Sequence, residues 1–160
     1  MRTILLIDDD RESHLFVRFA LKPLNEVYRL ESVTSALEGM QYLLGEAGFR
    51  EREAHQLPDL ILLDLKMPIM DGFQWLEWMR SQPQFGHLPV VVLTGSSYQA
   101  DIIRAHRMGA NSFVVKAVEL LDFVESIRNV LGMFFDDPEP VIMGTQQPWV
   151  VSPTLLKSAY

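Results

Sequence analysis

The sequence predicts an α/β fold built on a parallel sheet, and two observations carry that expectation. Runs of four or five apolar residues alternate with longer amphipathic stretches, as strands and crossover helices do around a parallel sheet. Two of those runs, Thr3 to Ile7 and Leu60 to Leu63, end abruptly in acids, Asp8-Asp9-Asp10 and Asp64. A carboxylate at the tip of a buried strand, ahead of a loop and a new helix, is placed for chemistry.

The first strand is expected over Thr3 to Ile7. A helix from about Glu12 to Leu21 follows, its inward stripe read as Leu15, Phe16, Phe19 and Ala20, with Pro23 stopping it. A weaker strand, about Val27 to Ser32, leads to a second helix marked by the capping-box pattern Ser35-Ala36-Leu37-Glu38. That helix is expected to bury Leu37, Met40, Leu43 and Leu44 before Gly45 and Gly48 end it. The polar loop Phe49 to Pro58 precedes the third strand, Asp59 to Leu63. The third helix spans Gly72 to about Ser81, ahead of Pro83; Leu76 and Met79 supply its core stripe, so one of Trp75 and Trp78 should lie half exposed. Pro89 to Leu93 is the fourth strand, and Ser96-Ser97-Tyr98-Gln99 offers a capping box for a helix reaching Met108, with Gly109 just past its end. Ser112 to Val115 is the fifth strand, and the last helix runs from about Val118 to Phe134. Its apolar stripe (Leu120, Phe123, Val124, Ile127, Val130, Leu131, Phe134) is wider than the roughly 100° that one core requires. Burial under the C-terminal tail explains that width, and so does a homodimer face on helix four, strand five and helix five.

Composition narrows the function classes. A chain of 160 residues suits one domain with an appendage. Residues 1–135 read as the domain and 136–160 as a Pro-containing apolar extension, not an independent domain; its Trp149, Val150, Val151, Leu155 and Leu156 call for something to pack on. A net charge of −7 with no run of Lys or Arg argues against nucleic acid as a partner. The absence of Cys excludes a disulfide framework and thiolate metal sites. No apolar stretch approaches the ~20 residues of a membrane span. With a strand beginning at Thr3 no signal peptide is expected, and the plain reading is a cytoplasmic protein.

In an open doubly wound sheet, ligands bind beyond the carboxyl ends of the strands, where the strand order reverses. The residues at those ends are Asp8, Asp9, Asp64, Thr94 and Lys116. Acids for a metal, one acid as nucleophile, a hydroxyl and a fixed cation together suit an aspartyl phosphate, with Asp64 as the nucleophile. Phosphoryl transfer chiefly requires positioning and charge neutralisation. Carboxylates ~4 Å apart repel by on the order of 4 kcal/mol at an effective dielectric of ~20, and an all-oxygen site selects a hard cation such as Mg2+.

This constellation resembles the receiver domain of two-component response regulators. The resemblance rests on Asp8-Asp9, on Leu63-Asp64-Leu65-Lys66-Met67-Pro68 with Met70-Asp71-Gly72, on Thr94-Gly95, and on Phe113-Val114-Val115-Lys116, and it covers about residues 2–134. It implies a flavodoxin-like (βα)5 fold with strand order 2-1-3-4-5. It implies that Asp64 takes a phosphoryl group from a histidine kinase or histidine phosphotransfer protein. Mg2+ would be held by Asp8, Asp9, Asp64 and the backbone carbonyl of Lys66, while Thr94 and Lys116 bind the phosphoryl oxygens. Phe113 stands at the family's switch aromatic, a place a plain core aromatic fills equally well. Ala117 follows Lys116 where the family usually has Pro in a cis peptide, and Gly95 stands where Ala is commoner. A cis bond before Ala costs about 2.5–4 kcal/mol, so a trans Lys116-Ala117 peptide is expected. The Phe49 to Pro58 loop and the Lys-Ala junction look like the single-domain receivers that accompany bacterial phytochromes.

The expected function is a stand-alone phosphoacceptor module, at most phosphorylating and dephosphorylating itself, with output through contacts with a downstream protein. Two rivals remain at this level. Asp8-x-Asp10 at a strand end also resembles the haloacid-dehalogenase phosphatases, with Asp8 as nucleophile and Asp10 as acid/base, although Arg11 and Glu12 fit that class poorly. A receiver-fold binding module without phosphorylation is the other. His14, His55, His87 and His106 lack metal-ligand spacing and read as surface or boundary residues.

Overall fold

Alternate residues of a strand point to opposite faces of a sheet; in the central strands here both faces are apolar and buried, whereas the edge strand Tyr28–Val33 leaves Arg29 and Ser32 exposed. In the computed structural model, which describes residues 1–49, 56–95 and 99–135, the strands are β1 (Arg2–Ile7), β2 (Tyr28–Val33), β3 (Leu60–Asp64), β4 (Val90–Thr94) and β5 (Ser112–Val115). They pair in parallel in the order β2-β1-β3-β4-β5. The crossover helices are α1 (Arg11–Leu21), α2 (Ala36–Leu44), α3 (Gly72–Ser81), α4 (Gln99–Arg107) and α5 (Leu120–Phe135). Leu5, Ile7, Ile61, Leu63, Val90 and Val92 belong to the core shared with α2, α3 and α4. Ile4, Leu6, Leu60, Leu62, Val91, Leu93 and Val114 belong to the opposite core, under α1 and α5. The α/β doubly wound architecture and strand order expected from the sequence are therefore present.

Two helices turn a different face inward than their large apolar residues suggest. In α1 the buried residues are Ser13, Val17, Ala20 and Leu21, whereas Leu15 is 64% and Phe19 49% exposed. In α2 they are Ala36, Gly39, Tyr42 and Leu43, whereas Leu37 and Leu44 are exposed. Close approach decides the matter. A Cβ at Gly39 would stand 2.7 Å from Ile7 Cδ1 and 3.0 Å from Trp75 Nε1, so α2 lies on the core through its glycine. The start of α2 is also only partly the expected capping box: Ser35 accepts from the Glu38 N–H, but Glu38 reaches the Thr34 N–H instead of that of Ser35.

The wide stripe of α5 has a local cause. Phe123, Val124, Ile127, Val130 and Leu131 are buried against both the sheet and α1, with Phe123 beside Phe16 and Arg128 donating to the Ala20 carbonyl. Leu120 and Phe134, the two ends of the stripe, are half-buried. Trp75 is fully buried and Trp78 half-buried, the latter against Trp75 and Phe85. Most of the Phe49 to Pro58 loop, the capping box at Ser96-Ser97-Tyr98 and the whole extension 136–160 lie outside the described residues.

The elements around the carboxyl edge of the sheet are firmly ended. Asp10 caps α1, accepting from the Glu12 N–H and the Ser13 hydroxyl. Asp71 and Gln74 form a reciprocal capping box on α3. Between β3 and α3 the chain makes a tight turn, with the Met70 N–H bonded to the Pro68 carbonyl at 2.8 Å and Ile69 at φ 70°. Ile69 is fully exposed. Among the described residues no helix is long and apolar enough to cross a membrane.

Candidate functional site

The pairing of β1 with β3 sets Ile7 opposite Leu63, so the next residue of each strand, Asp8 and Asp64, emerges at the same edge. This is the switch point of the sheet, because β1 leads to β2 on one side and has β3 on the other. Asp8 is fully buried and Asp64 only 4% exposed, whereas Asp9, one residue further, is exposed. Carboxylate oxygens of all three lie within 4.8 Å of one another.

Lys116 arrives from two strands away. Its N–H is bonded to the Thr94 carbonyl at 2.7 Å, which fixes the backbone just past β5. Its ammonium then sits 2.7 Å from Asp8 Oδ2 and 2.7 Å from Asp64 Oδ1. It does so through a trans Lys116-Ala117 peptide, as expected, since the described residues contain no cis bond. The remaining Asp64 oxygen, Oδ2, accepts from the Lys66 N–H at 2.7 Å, and Asp8 Oδ1 accepts from the Asp10 N–H at 2.9 Å.

Burial pushes the Asp64 carboxyl above its ordinary pKa; the hydrogen bond and charge of Lys116 oppose the rise, and Asp8 adds to it. Burial also works against the Lys116 ammonium, but the two carboxylates outweigh it and hold its pKa above the ordinary lysine value. Asp10 behaves differently. Burial raises it, yet the Glu12 N–H and the Ser13 hydroxyl prevail and hold it below the ordinary carboxylate range. An Asp10 carboxylate committed to capping α1, with a lowered pKa, is a poor general acid, which removes the acid/base of the phosphatase reading.

The site's chemistry fits a divalent cation. Three carboxylates face one ammonium, leaving two negative charges uncompensated. Asp8 Oδ2 is buried with no hydrogen-bond donor aligned on it, the Lys116 contact being an ion pair. An all-oxygen donor set of this charge suits Mg2+ or a similar hard ion.

Thr94 is buried at the end of β4, one residue beyond the Asp64–Leu93 pair. Phe113 is buried in the core on the α4 side, opposite Val92, lining a small cleft with Ile102, Ala105 and His106. Gly95 is exposed, and a Cβ there would meet nothing within 4 Å, so space does not require glycine.

Two residues close to the site were given no role in shaping it by sequence reasoning. A Cβ at Gly72 would collide with the Asp64 carbonyl and stand 2.8 Å from Leu65 Cα, so α3 starts directly on the backbone of the β3 end only because residue 72 is glycine. The glycine after Asp71 was the available signal. His14, read as a boundary residue, has its Nε2 2.6 Å from the Asp8 carbonyl oxygen. No spacing rule links residues 8 and 14 across a turn and a helix start.

The profile of the response regulator receiver domain matches residues 4–128. The chain belongs to the response regulator receiver family. Response regulator Rcp1 of Synechocystis sp. (strain ATCC 27184 / PCC 6803 / Kazusa) is 30% identical over 135 residues, which is 84% of this chain and 90% of that protein. The crystal structure of the phosphorylated cyanobacterial phytochrome response regulator RcpA superposes with a TM-score of 0.78 at 26% identity, covering 87% of this chain and 98% of that one. The bacteriophytochrome response regulator RtBRR gives a TM-score of 0.68 at 31% identity, covering 92% and 85%. Receivers are signalling domains, not enzymes in their own right; they accept phosphoryl groups from histidine kinases or phosphotransfer proteins and bind Mg2+ at an acidic pocket. The phosphatase alternative is not favoured.

Proposed function

We propose that Asp64 is the phosphoacceptor of this receiver and that Asp8, Asp9 and Asp64, with the Lys66 carbonyl, hold Mg2+. The observation that carries this reading is the Asp64 carboxylate itself, buried at a strand end between the Lys116 ammonium and the Lys66 N–H and beside two further acids. One Asp64 oxygen forms the new O–P bond as the N–P bond of a phosphohistidine breaks, and the departing imidazole nitrogen keeps the electron pair and takes up a proton. Bound Mg2+ supplies the charge that lets a trianionic cluster meet an anionic phosphoryl group. Lys116 stabilises charge on the transferred group, with Thr94 at the neighbouring strand end as a hydroxyl donor to it and Phe113 as the aromatic that follows its state.

The donor we propose is a histidine kinase of the phytochrome type, or a phosphotransfer protein acting for one. The support is the likeness to receivers named for phytochromes, at 26% and 31% identity. Incubation with Mg2+ and acetyl phosphate, read by intact mass and peptide mapping, tests the acceptor. One phosphoryl group on the peptide containing Asp64, absent with EDTA and absent from Asp64→Asn, is the expected result. Label on Asp8, or label persisting in Asp64→Asn, refutes the assignment.

A further inference from the structure

We propose that His14 is a positioning residue for the cation site, holding the Asp8-Asp9 peptide so that Asp9 presents its carboxylate beside those of Asp8 and Asp64. The proposal rests on the reading of those three acids as the Mg2+ site. Its starting point is the 2.6 Å separation between His14 Nε2 and the Asp8 carbonyl oxygen. A carbonyl oxygen only accepts, so Nε2 carries the proton and the ring donates.

Asp8 is held at its other polar atoms too, and one of those bonds, from the Asp10 N–H to Oδ1, closes a turn around Asp9 that leaves the Asp8 carbonyl to His14. Its N–H goes to the Val33 carbonyl, its Oδ1 to the Asp10 N–H, and its Oδ2 faces Lys116. The carbonyl shares a rigid plane with the Asp9 N–H. A donor on that carbonyl therefore fixes the plane, and with it the direction in which Asp9 leaves the backbone. Asp9 needs this help more than its neighbours. It is exposed, and among the described residues no hydrogen bond or ion pair holds its carboxylate. Yet that carboxylate comes within 4.8 Å of the buried pair. His14 provides the fixed point from α1, whose own start is pinned by Asp10. The imidazole is planar and has few rotamers, so it holds the carbonyl at small entropic cost.

Calorimetric titration of the phosphate-free protein with Mg2+ tests this without reference to phosphorylation. His14→Leu should weaken Mg2+ binding about five-fold, equivalent to one lost hydrogen bond of about 1 kcal/mol. His14→Gln, which retains an N–H donor at similar reach, should restore binding to within about two-fold of the unsubstituted protein by the same measure. In an Asp9→Asn background, His14→Leu should produce no further loss, because the ligand it orients is already disabled. Should His14→Leu fail to fold, His14→Asn, whose amide is too short for the contact, takes its place with the same expected loss. Equal Mg2+ affinity with and without the donor would overturn the proposal, and so would the same five-fold loss in the Asp9→Asn background. A wild-type protein that binds no Mg2+ would overturn the site reading together with it, an outcome distinct from normal wild-type binding that His14→Leu leaves untouched.

Discussion

Replacing Lys116 with methionine removes the ammonium that touches both buried carboxylates while keeping the length and bulk of the stem. Each N–O separation is 2.7 Å, at which a unit pair attracts by about 6 kcal/mol at an effective dielectric of ~20. Desolvation of the three ions takes back several kcal/mol apiece, so the pair sum is not the net value; leaving buried carboxylates without their partner destabilises by about 3–5 kcal/mol. The pH dependence supplies a second, independent signature. Asp64 has a raised pKa, chiefly from burial and against the pull of Lys116. A group with a raised folded pKa contributes stability fully below its unfolded pKa and loses it as pH rises through the folded value. Without Lys116 that folded value climbs further, so the Lys116→Met deficit should be full above it and shrink as pH falls through the raised folded value of Asp64. The Lys116 ammonium is also raised, its two carboxylates outweighing burial. Its contribution is present below the ordinary lysine range and disappears as pH rises through the folded value, so wild type and variant should converge again in strongly alkaline buffer. Urea unfolding in EDTA across this range is the assay, and adding Mg2+ should recover part of the loss at neutral pH by binding only the folded state. A neutral-pH deficit below about 1 kcal/mol, or one that stays constant into acid, would refute the charge argument.

Two further perturbations probe the loop between β3 and α3. Ile69 holds φ 70° with its side chain fully exposed, so its left-handed backbone is strained and no burial compensates. Ile69→Gly should stabilise the protein by about 1 kcal/mol, the relieved strain exceeding the added freedom of the unfolded chain; a neutral or negative change in urea unfolding contradicts this. Gly72→Ala should destabilise by about 1–3 kcal/mol and weaken Mg2+ binding together, because its Cβ meets the backbone of Asp64 and Leu65. A variant with wild-type stability and metal affinity would show that the loop yields freely.

Local pattern was enough to make the fold and most of the site legible. The limits of α3 and β5 were read closely because Gly72, Pro83 and the Ser112 to Val115 run are local signals. Asp8, Asp64 and Lys116, which the structure brings into contact, stand out in the sequence because a polar residue closing an apolar strand is conspicuous in one dimension, and strand ends converge in a parallel sheet. The inward faces of α1 and α2 were not legible. Leu15, Phe19, Leu37 and Leu44 outweigh Val17, Ala20 and Gly39 in hydropathy, but a helix approaches the sheet most closely through its small residues. The width of the α5 stripe recorded how much surface is buried and not that α1 is among the neighbours burying it. The His14 contact depends on where a helix start lies relative to a strand end. Periodicity along a chain reports which residues share an element's face; only packing decides which face is turned inward and which distant atoms it meets.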